Sequence, residues 1–109
     1  MSRAERAEEL KAIIQKYFEN KKNSVEEILL FGSRARGDFD RYSDYDILIV
    51  VKNPVEISEK IVISEEIRDK LSKIHIPIDI IIKSKDEVSY YKDKIGSVVR
   101  EALKEGIHL

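Results

Sequence analysis

Three short apolar runs, separated by segments of helical periodicity, constrain the fold of this chain more than any other feature. The runs cover residues 25–31, 44–51 and 76–83, and each is rich in isoleucine, leucine or valine. Runs of this length between helical segments predict strands that alternate with helices. We therefore expect a small α/β or α+β sandwich.

Helices are predicted around these runs, which gives the order α-β-(α)-β-α-β-α. The first helix covers about residues 3–21, and a turn or short helix covers residues 33–39. The next helix is expected to start with Asn53 as its N-cap and Pro54 at its first position. The last covers residue 86 to about residue 105.

The apolar residues expected to face the core share the three- and four-residue spacing of an amphipathic helix. In the first helix they are Leu10, Ile13, Ile14, Tyr17 and Phe18; in the helix after Pro54 they are Ile57, Ile61, Ile67, Leu71 and Ile74; in the last they are Val88, Tyr91, Ile95, Val99 and Leu103. Gly106 is expected to end the last helix.

Composition narrows the possible functions. The 109 residues suit one domain, spanning 1–109. With 20 basic residues against 21 acidic ones, the net charge of -1 makes nucleic-acid binding an unfavoured function. The chain has no cysteine, which excludes disulfides and thiol catalysis. The apolar runs are too short to cross a membrane, and the charged start lacks a secretory signal, so a cytoplasmic protein is expected.

Two of the four glycines flank a serine and two arginines directly after the first apolar run, in the segment FGSRARGD. A glycine at a strand end lets the backbone approach a ligand, and the N–H groups of a following helical turn favour an anion. Ser33 adds a hydroxyl donor, and Arg34, Arg36 and Arg41 add positive charge. The segment predicts a phosphate-binding turn; the alternative is an ordinary Gly-Ser turn.

Two aspartates, Asp44 and Asp46, open the second apolar run, where a strand entering a core would normally avoid charge. Residues i and i+2 of a strand project from one face, about 6 to 7 Å apart. Carboxylates that share a face repel each other and favour a cation, and Mg²⁺ prefers such oxygen ligands. The spacing predicts a metal-binding pair; the alternative is a solvated strand end.

A third aspartate, Asp79, interrupts the apolar run of residues 74–82. A buried carboxylate without compensation is costly, so this one needs a partner or a position at a cleft. If the third strand lies beside the second, Asp79 joins Asp44 and Asp46 on one face. The three would then form one acidic group.

The segment GSRARGDFDRYSDYDILIVV, together with Asp79, resembles the signature of the DNA polymerase beta-like nucleotidyltransferase superfamily. The small size is similar to that of the minimal nucleotidyltransferases, the MntA-type antitoxins typically paired with a HEPN-domain toxin. The resemblance covers essentially the whole chain. It implies a nucleotidyltransferase core with a small mixed sheet of three to four strands, flanked by about four helices.

The resemblance also implies the chemistry. Nucleotide-binding roles fall on Gly32, Ser33, Arg36 and Gly37, and catalytic and metal-binding roles fall on Asp44, Asp46 and Asp79. Two Mg²⁺ ions and ATP as substrate are expected. AMP is expected to be transferred to a hydroxyl of the partner toxin, that of a tyrosine side chain, within a hetero-oligomer.

Other functions stay open at the level of sequence. The main alternative is an antitoxin that neutralises its partner by binding only and keeps a vestigial nucleotide site. A small-molecule nucleotidyltransferase is a second alternative, although such enzymes generally carry an extra helical domain for the acceptor. Nothing in the sequence marks the base preference of the nucleotide.

Overall fold

The computed structural model describes residues 3–109 and contains, over that range, four strands and five helices. The helices are α1 (Arg3–Phe18), α2 (Ser33–Arg36), α3 (Ile57–Ser72), α4 (Lys85–Tyr91) and α5 (Val98–Glu105), and the strands are β1 (Val25–Phe31), β2 (Tyr45–Val51), β3 (Ile78–Ser84) and β4 (Ile107–His108). None of the helices between residues 3 and 109 has the length and apolar character needed to cross a membrane.

The four strands form one mixed sheet in the order β3-β2-β1-β4. Strand β1 pairs antiparallel with β2 and with β4, whereas β2 and β3 are parallel. A parallel pair needs a crossover connection, and α3 supplies it here. The mixed sheet confirms the predicted fold class, and β4 brings the number of strands to the upper end of the expected range.

Both faces of the sheet are covered, which explains why β2 is almost continuously apolar. On one face, Ile47 and Ile49 belong to the larger core cluster, together with buried residues of α1 and α3. On the other face, Leu48 and Val50 form a smaller cluster that includes Ala102 of α5. Since side chains alternate along a strand, Asp46 lies on this second face, at the end of the smaller cluster.

The start of α3 differs from the prediction. Its N-cap is Glu56, not Asn53. Asn53 instead exchanges two hydrogen bonds with the side chain of Asn23, at 2.7 and 2.8 Å, and so belongs to a contact between two loops. The predicted apolar stripe is also partly wrong, because Ile57 and Ile61 are 76% and 54% exposed and the buried stripe is Ile63, Ile67 and Leu71.

The predicted last helix is two helices. Ser84 begins α4 with a capping box, and Ser97 begins α5 by accepting a hydrogen bond from the backbone of Arg100. The Ser97 hydroxyl also donates to the Tyr91 carbonyl at 2.8 Å, which fixes the break. Ile95 falls in this break and is 88% exposed, while Val99 and Ala102 are buried. Three other residues were expected to face the core: Val88 packs against the smaller core cluster, whereas Tyr91 and Leu103 are exposed. Gly106 ends α5 as predicted.

Candidate active site

The end of β1 brings the Gly-Ser turn against an acidic side chain of β2. Phe31, the last residue of β1, is opposite Asp46 in the antiparallel register. The next residue, Gly32, has φ 72° and ψ -157°, a region of the backbone map that only glycine occupies readily. A Cβ atom on Gly32 would overlap Oδ2 of Asp46. The turn therefore requires a glycine for two reasons, its backbone conformation and the adjacent carboxylate.

The parallel register of β2 and β3 places a second aspartate beside Asp46. Asp46 is opposite Asp79, so the two project from neighbouring strands onto the same face. Asp44 lies one residue before β2 and is exposed, as is Asp79. The structure thus brings Asp46 and Asp79 together as the sequence predicted. Asp79 reaches the surface of the edge strand and is not a buried charge within the core.

The charges around Asp46 make this end of the sheet electronegative. Burial raises the pKa of Asp46, and the negative charges of Asp79, Asp44 and Glu105 raise it further, while Arg36 acts in the opposite direction. Carboxylates that share one face repel each other and are stabilised by a cation, so the donor set suits a hard divalent ion such as Mg²⁺. Within residues 3–109, however, no three acidic or histidine side chains already enclose a metal position. The aspartates are close enough for their charges to interact, but they do not form a metal-binding site by themselves.

The short helix α2 carries the other residues predicted to bind the nucleotide. Ser33 is its half-buried first residue, and Gly37 ends it with φ 93° and donates its N–H to the Ser33 carbonyl at 2.9 Å. Arg36 extends from α2 to Asp38 and Glu105, at 3.3 and 3.2 Å. The residues of the predicted turn are therefore together in space, next to Asp46.

Arg34 has a structural position that the sequence did not predict. Its guanidinium lies over the rings of Phe39 and Tyr45, at 4.4 and 4.5 Å from their centres, and donates to the Ser43 carbonyl at 3.0 Å. These contacts hold the loop between α2 and β2. Arg41 likewise donates to the adjacent Tyr42 hydroxyl, whereas Arg36 donates to Glu105, which also binds the Gly32 N–H.

Glu105 also lies in this region, although no sequence pattern selected it. Its Oε1 accepts the hydrogen bond of the Gly32 backbone N–H at 2.9 Å, although the two residues are 73 positions apart. Glu105 is the last residue of α5 in a chain with many acidic residues, and no motif marks it. Only the packing of α5 against β1 brings it to the turn.

The structure places the Gly-Ser turn against a strand aspartate, with a further aspartate on the next strand. This is the arrangement that the resemblance to nucleotidyltransferases led us to expect. Comparison with known families agrees with this class. The profile of the family described as "Nucleotidyltransferase domain" matches residues 8–108. The chain belongs to this family, and it is a nucleotidyltransferase.

Individual relatives agree in fold or in sequence. A protein of Methanocaldococcus jannaschii that is named as a protein adenylyltransferase, MJ0141, is 33% identical over 88 residues, which cover 81% of this chain and 82% of that protein. A crystal structure of a nucleotidyltransferase from Sulfolobus solfataricus is 26% identical, with a TM-score of 0.59, and the match covers 92% of this chain and 76% of the other.

Two toxin–antitoxin structures share the fold. One contains AMP-PNP; it is 21% identical, has a TM-score of 0.58, and the match covers 89% of this chain and 69% of the other. The second is a mutant of a complex named MntA–HpeT; it is 20% identical, also with a TM-score of 0.58, and the match covers 91% and 70% of the two chains. At these identities the likeness establishes the fold alone.

Proposed function

We propose that this nucleotidyltransferase transfers AMP from ATP to a tyrosine hydroxyl of a HEPN-domain toxin and thereby acts as the antitoxin of a toxin–antitoxin pair. The observation that carries the proposal is the contact between Gly32 and Asp46, because it joins the candidate phosphate turn to the candidate metal ligand. The relative named as a protein adenylyltransferase supports a protein as the acceptor. The fold shared with toxin–antitoxin structures is compatible with a toxin as that protein.

The turn is assigned to the triphosphate. The backbone of Gly32 has no side chain to block an approaching phosphate, and the Ser33 hydroxyl can donate to one of its oxygens. Arg36 supplies a guanidinium, which matches the geometry of phosphate oxygens. Gly37 lets the chain turn away after a single helical turn, because it ends α2 in the left-handed conformation.

The three aspartates are assigned to Mg²⁺, with two ions expected. Asp46 is central because it is flanked by Asp79 in the strand register and by Asp44 two residues before it. When bound, Mg²⁺ neutralises charge on the phosphates and makes an attacking hydroxyl more acidic. Asp44, Asp46 and Asp79 would supply carboxylate oxygens to the ions and the substrate's phosphates would supply others, which fits carboxylates that do not form a closed cage by themselves.

In the proposed reaction, the acceptor oxygen attacks the α-phosphorus of ATP in line with the bond to the β-phosphate. A new oxygen–phosphorus bond forms, the bond between the α-phosphorus and its bridging oxygen breaks, and pyrophosphate leaves. The hydroxyl proton passes to a carboxylate, for which exposed Asp79 is the candidate. The protein contributes mainly the positioning of reactants and the control of charge.

The acceptor is proposed to come from a partner protein in a hetero-oligomer. The acidic group is at the surface, since Asp44 and Asp79 are both exposed, and a hydroxyl on another chain can reach it. The cytoplasmic location expected from the sequence stays a prediction.

Replacing Asp46 by asparagine tests the metal assignment. We expect Asp46→Asn to lose more than 99% of transfer activity while unfolding at the same or a slightly higher temperature. Any gain in stability arises because the substitution removes one negative charge from a group of carboxylates. The gain is no more than about 0.5 kcal/mol, because solvent screens the charges at this partly exposed site. Transfer from labelled ATP and thermal unfolding at neutral pH measure the two effects.

Asp93→Asn is the matched control, since Asp93 is exposed in the turn between α4 and α5, away from the site. We expect it to leave both transfer and stability unchanged. An Asp46→Asn variant that transfers as fast as the wild type would contradict the assignment of Asp46 to the metal.

A further inference from the structure

Glu105 contacts two of the four groups to which we assign nucleotide binding. Its Oε1 accepts from the Gly32 N–H at 2.9 Å, and its two oxygens accept from Nη1 of Arg36 at 3.2 and 3.3 Å. The side chain is 22% exposed, so this contact is partly shielded from water. One carboxylate therefore bridges a backbone donor and a guanidinium, which are two kinds of donor that also bind phosphate oxygens.

The location of Glu105 is electrostatically unfavourable apart from these two contacts. It lies close enough to Asp46 for its charge to raise the pKa of that carboxyl, and Asp46 already has Asp44 and Asp79 as acidic neighbours. A triphosphate that uses Gly32 and Arg36 would bring more negative charge to the same place. The carboxylate and the triphosphate cannot both hold the Gly32 N–H, because a single N–H donates one strong hydrogen bond.

We infer that Glu105 is an internal anion that occupies the Gly32 N–H and Arg36 in the nucleotide-free protein, and that the triphosphate displaces it on binding. The inference rests on the proposed function, since it assumes that the turn binds a triphosphate. It adds a regulatory role at that site: Glu105 lowers the affinity for nucleotide.

The backbone around Glu105 is fixed, so its carboxylate leaves by rotation of the side chain. The Gly106 N–H donates to the Ala102 carbonyl at 2.7 Å, and a Cβ on Gly106 would overlap that carbonyl oxygen. The next two residues form β4, which pairs with β1. Arg36 keeps its second carboxylate, Asp38, at 3.3 Å and stays oriented when Glu105 departs.

The substitution Glu105→Gln tests this inference, because glutamine keeps the size and an amide oxygen that can accept from Gly32 but lacks the negative charge. The measurement is the affinity for ATP, by isothermal titration calorimetry with Mg²⁺ in constant excess. We expect Glu105→Gln to bind ATP about tenfold more tightly than the wild type. Glu101→Gln is the matched control, one turn earlier on α5 and exposed, and its affinity should equal that of the wild type.

A second readout follows the Gly32 amide by NMR. In the wild type, its resonance should shift when ATP saturates the protein, because the acceptor of its hydrogen bond changes. An affinity of Glu105→Gln equal to or weaker than that of the wild type, or a Gly32 resonance that does not move, would overturn the displacement while leaving the proposed function intact. Absence of ATP binding in the wild type and in both variants would overturn the proposed function, and this inference with it.

Discussion

The backbone at Gly32 accepts no side chain without a rearrangement. Its φ of 72° and ψ of -157° are a conformation that costs other residues about 1–3 kcal/mol. The overlap of an added Cβ with the Asp46 carboxylate comes in addition to that cost. Stability and function thus depend on the same residue, since the group displaced by a methyl at this position is the candidate metal ligand.

We therefore expect Gly32→Ala to lower the free energy of unfolding by at least about 2 kcal/mol and to reduce transfer activity to background. Urea unfolding and transfer from labelled ATP measure the two losses. Gly96→Ala is the control, because Gly96 also has a positive φ of 85° but has no atom within 4 Å of the added Cβ. Equal losses of stability in the two variants would show that the overlap with Asp46 adds nothing to the destabilisation caused by Gly32→Ala.

Single residues of the site were predictable from sequence where a local pattern marks them. The spacing of the glycine, the serine and the aspartates is local, and the apolar run around Asp79 made that aspartate conspicuous. Glu105 was not predictable, because its contact with Gly32 depends on how α5 packs against β1. The structural position of Arg34 was missed for a similar reason, since it depends on how the loop that contains Phe39 folds back beside Tyr45 at the start of β2.

At the scale of elements, Glu87 links three parts of the fold. It accepts from the backbone of Ser84 to complete the capping box of α4, and it pairs with Lys60 of α3 at 3.2 Å. Burial raises the pKa of Glu87, but the Ser84 hydrogen bond and the charge of Lys60 outweigh it, so that the pKa is lowered from 4.5. The ionised form is therefore the one that stabilises the fold.

This direction predicts how stability depends on pH. Because the folded-state pKa is below that of the unfolded chain, the contribution of Glu87 is present above the ordinary pKa of 4.5 and is lost as the pH falls through the folded value. We expect Glu87→Gln to cost about 1 kcal/mol at pH 7, and its deficit to shrink as the pH falls below 4.5. Chemical denaturation across pH 3–7 measures it, and a deficit that stayed constant over that range would contradict the role of the ionised form.

Most elements could be predicted from sequence, but several of their boundaries could not. The strands β1, β2 and β3 were close to the expected residues because apolar runs bounded by polar segments mark them clearly. The break between α4 and α5 was missed because the apolar spacing continues through it and hides Ser97, which caps α5 and also donates to the Tyr91 carbonyl six residues earlier. The start of α3 was placed too early because Asn53 pairs with Asn23, which is remote in sequence.

At the scale of the whole molecule, the sheet brings the turn and the acids together from three strands. The end of β1 contributes Gly32, and the starts of β2 and β3 contribute Asp46 and Asp79. The direction of these strands could not be predicted from periodicity and was implied only by the resemblance to a family.

Transfer of AMP to a partner protein can be measured with ATP labelled at the α-phosphate, Mg²⁺ and the protein that co-purifies with this one from its native lysate. The comparison is between the wild type, Asp44→Ala/Asp46→Ala and the control Asp93→Asn, with the labelled product identified by mass spectrometry. We expect AMP on a tyrosine of the partner with the wild type and the control, and none with the double variant. The opposite result is a partner that binds both the wild type and the double variant but acquires no label from either. That result would contradict transfer and leave an antitoxin that acts by binding.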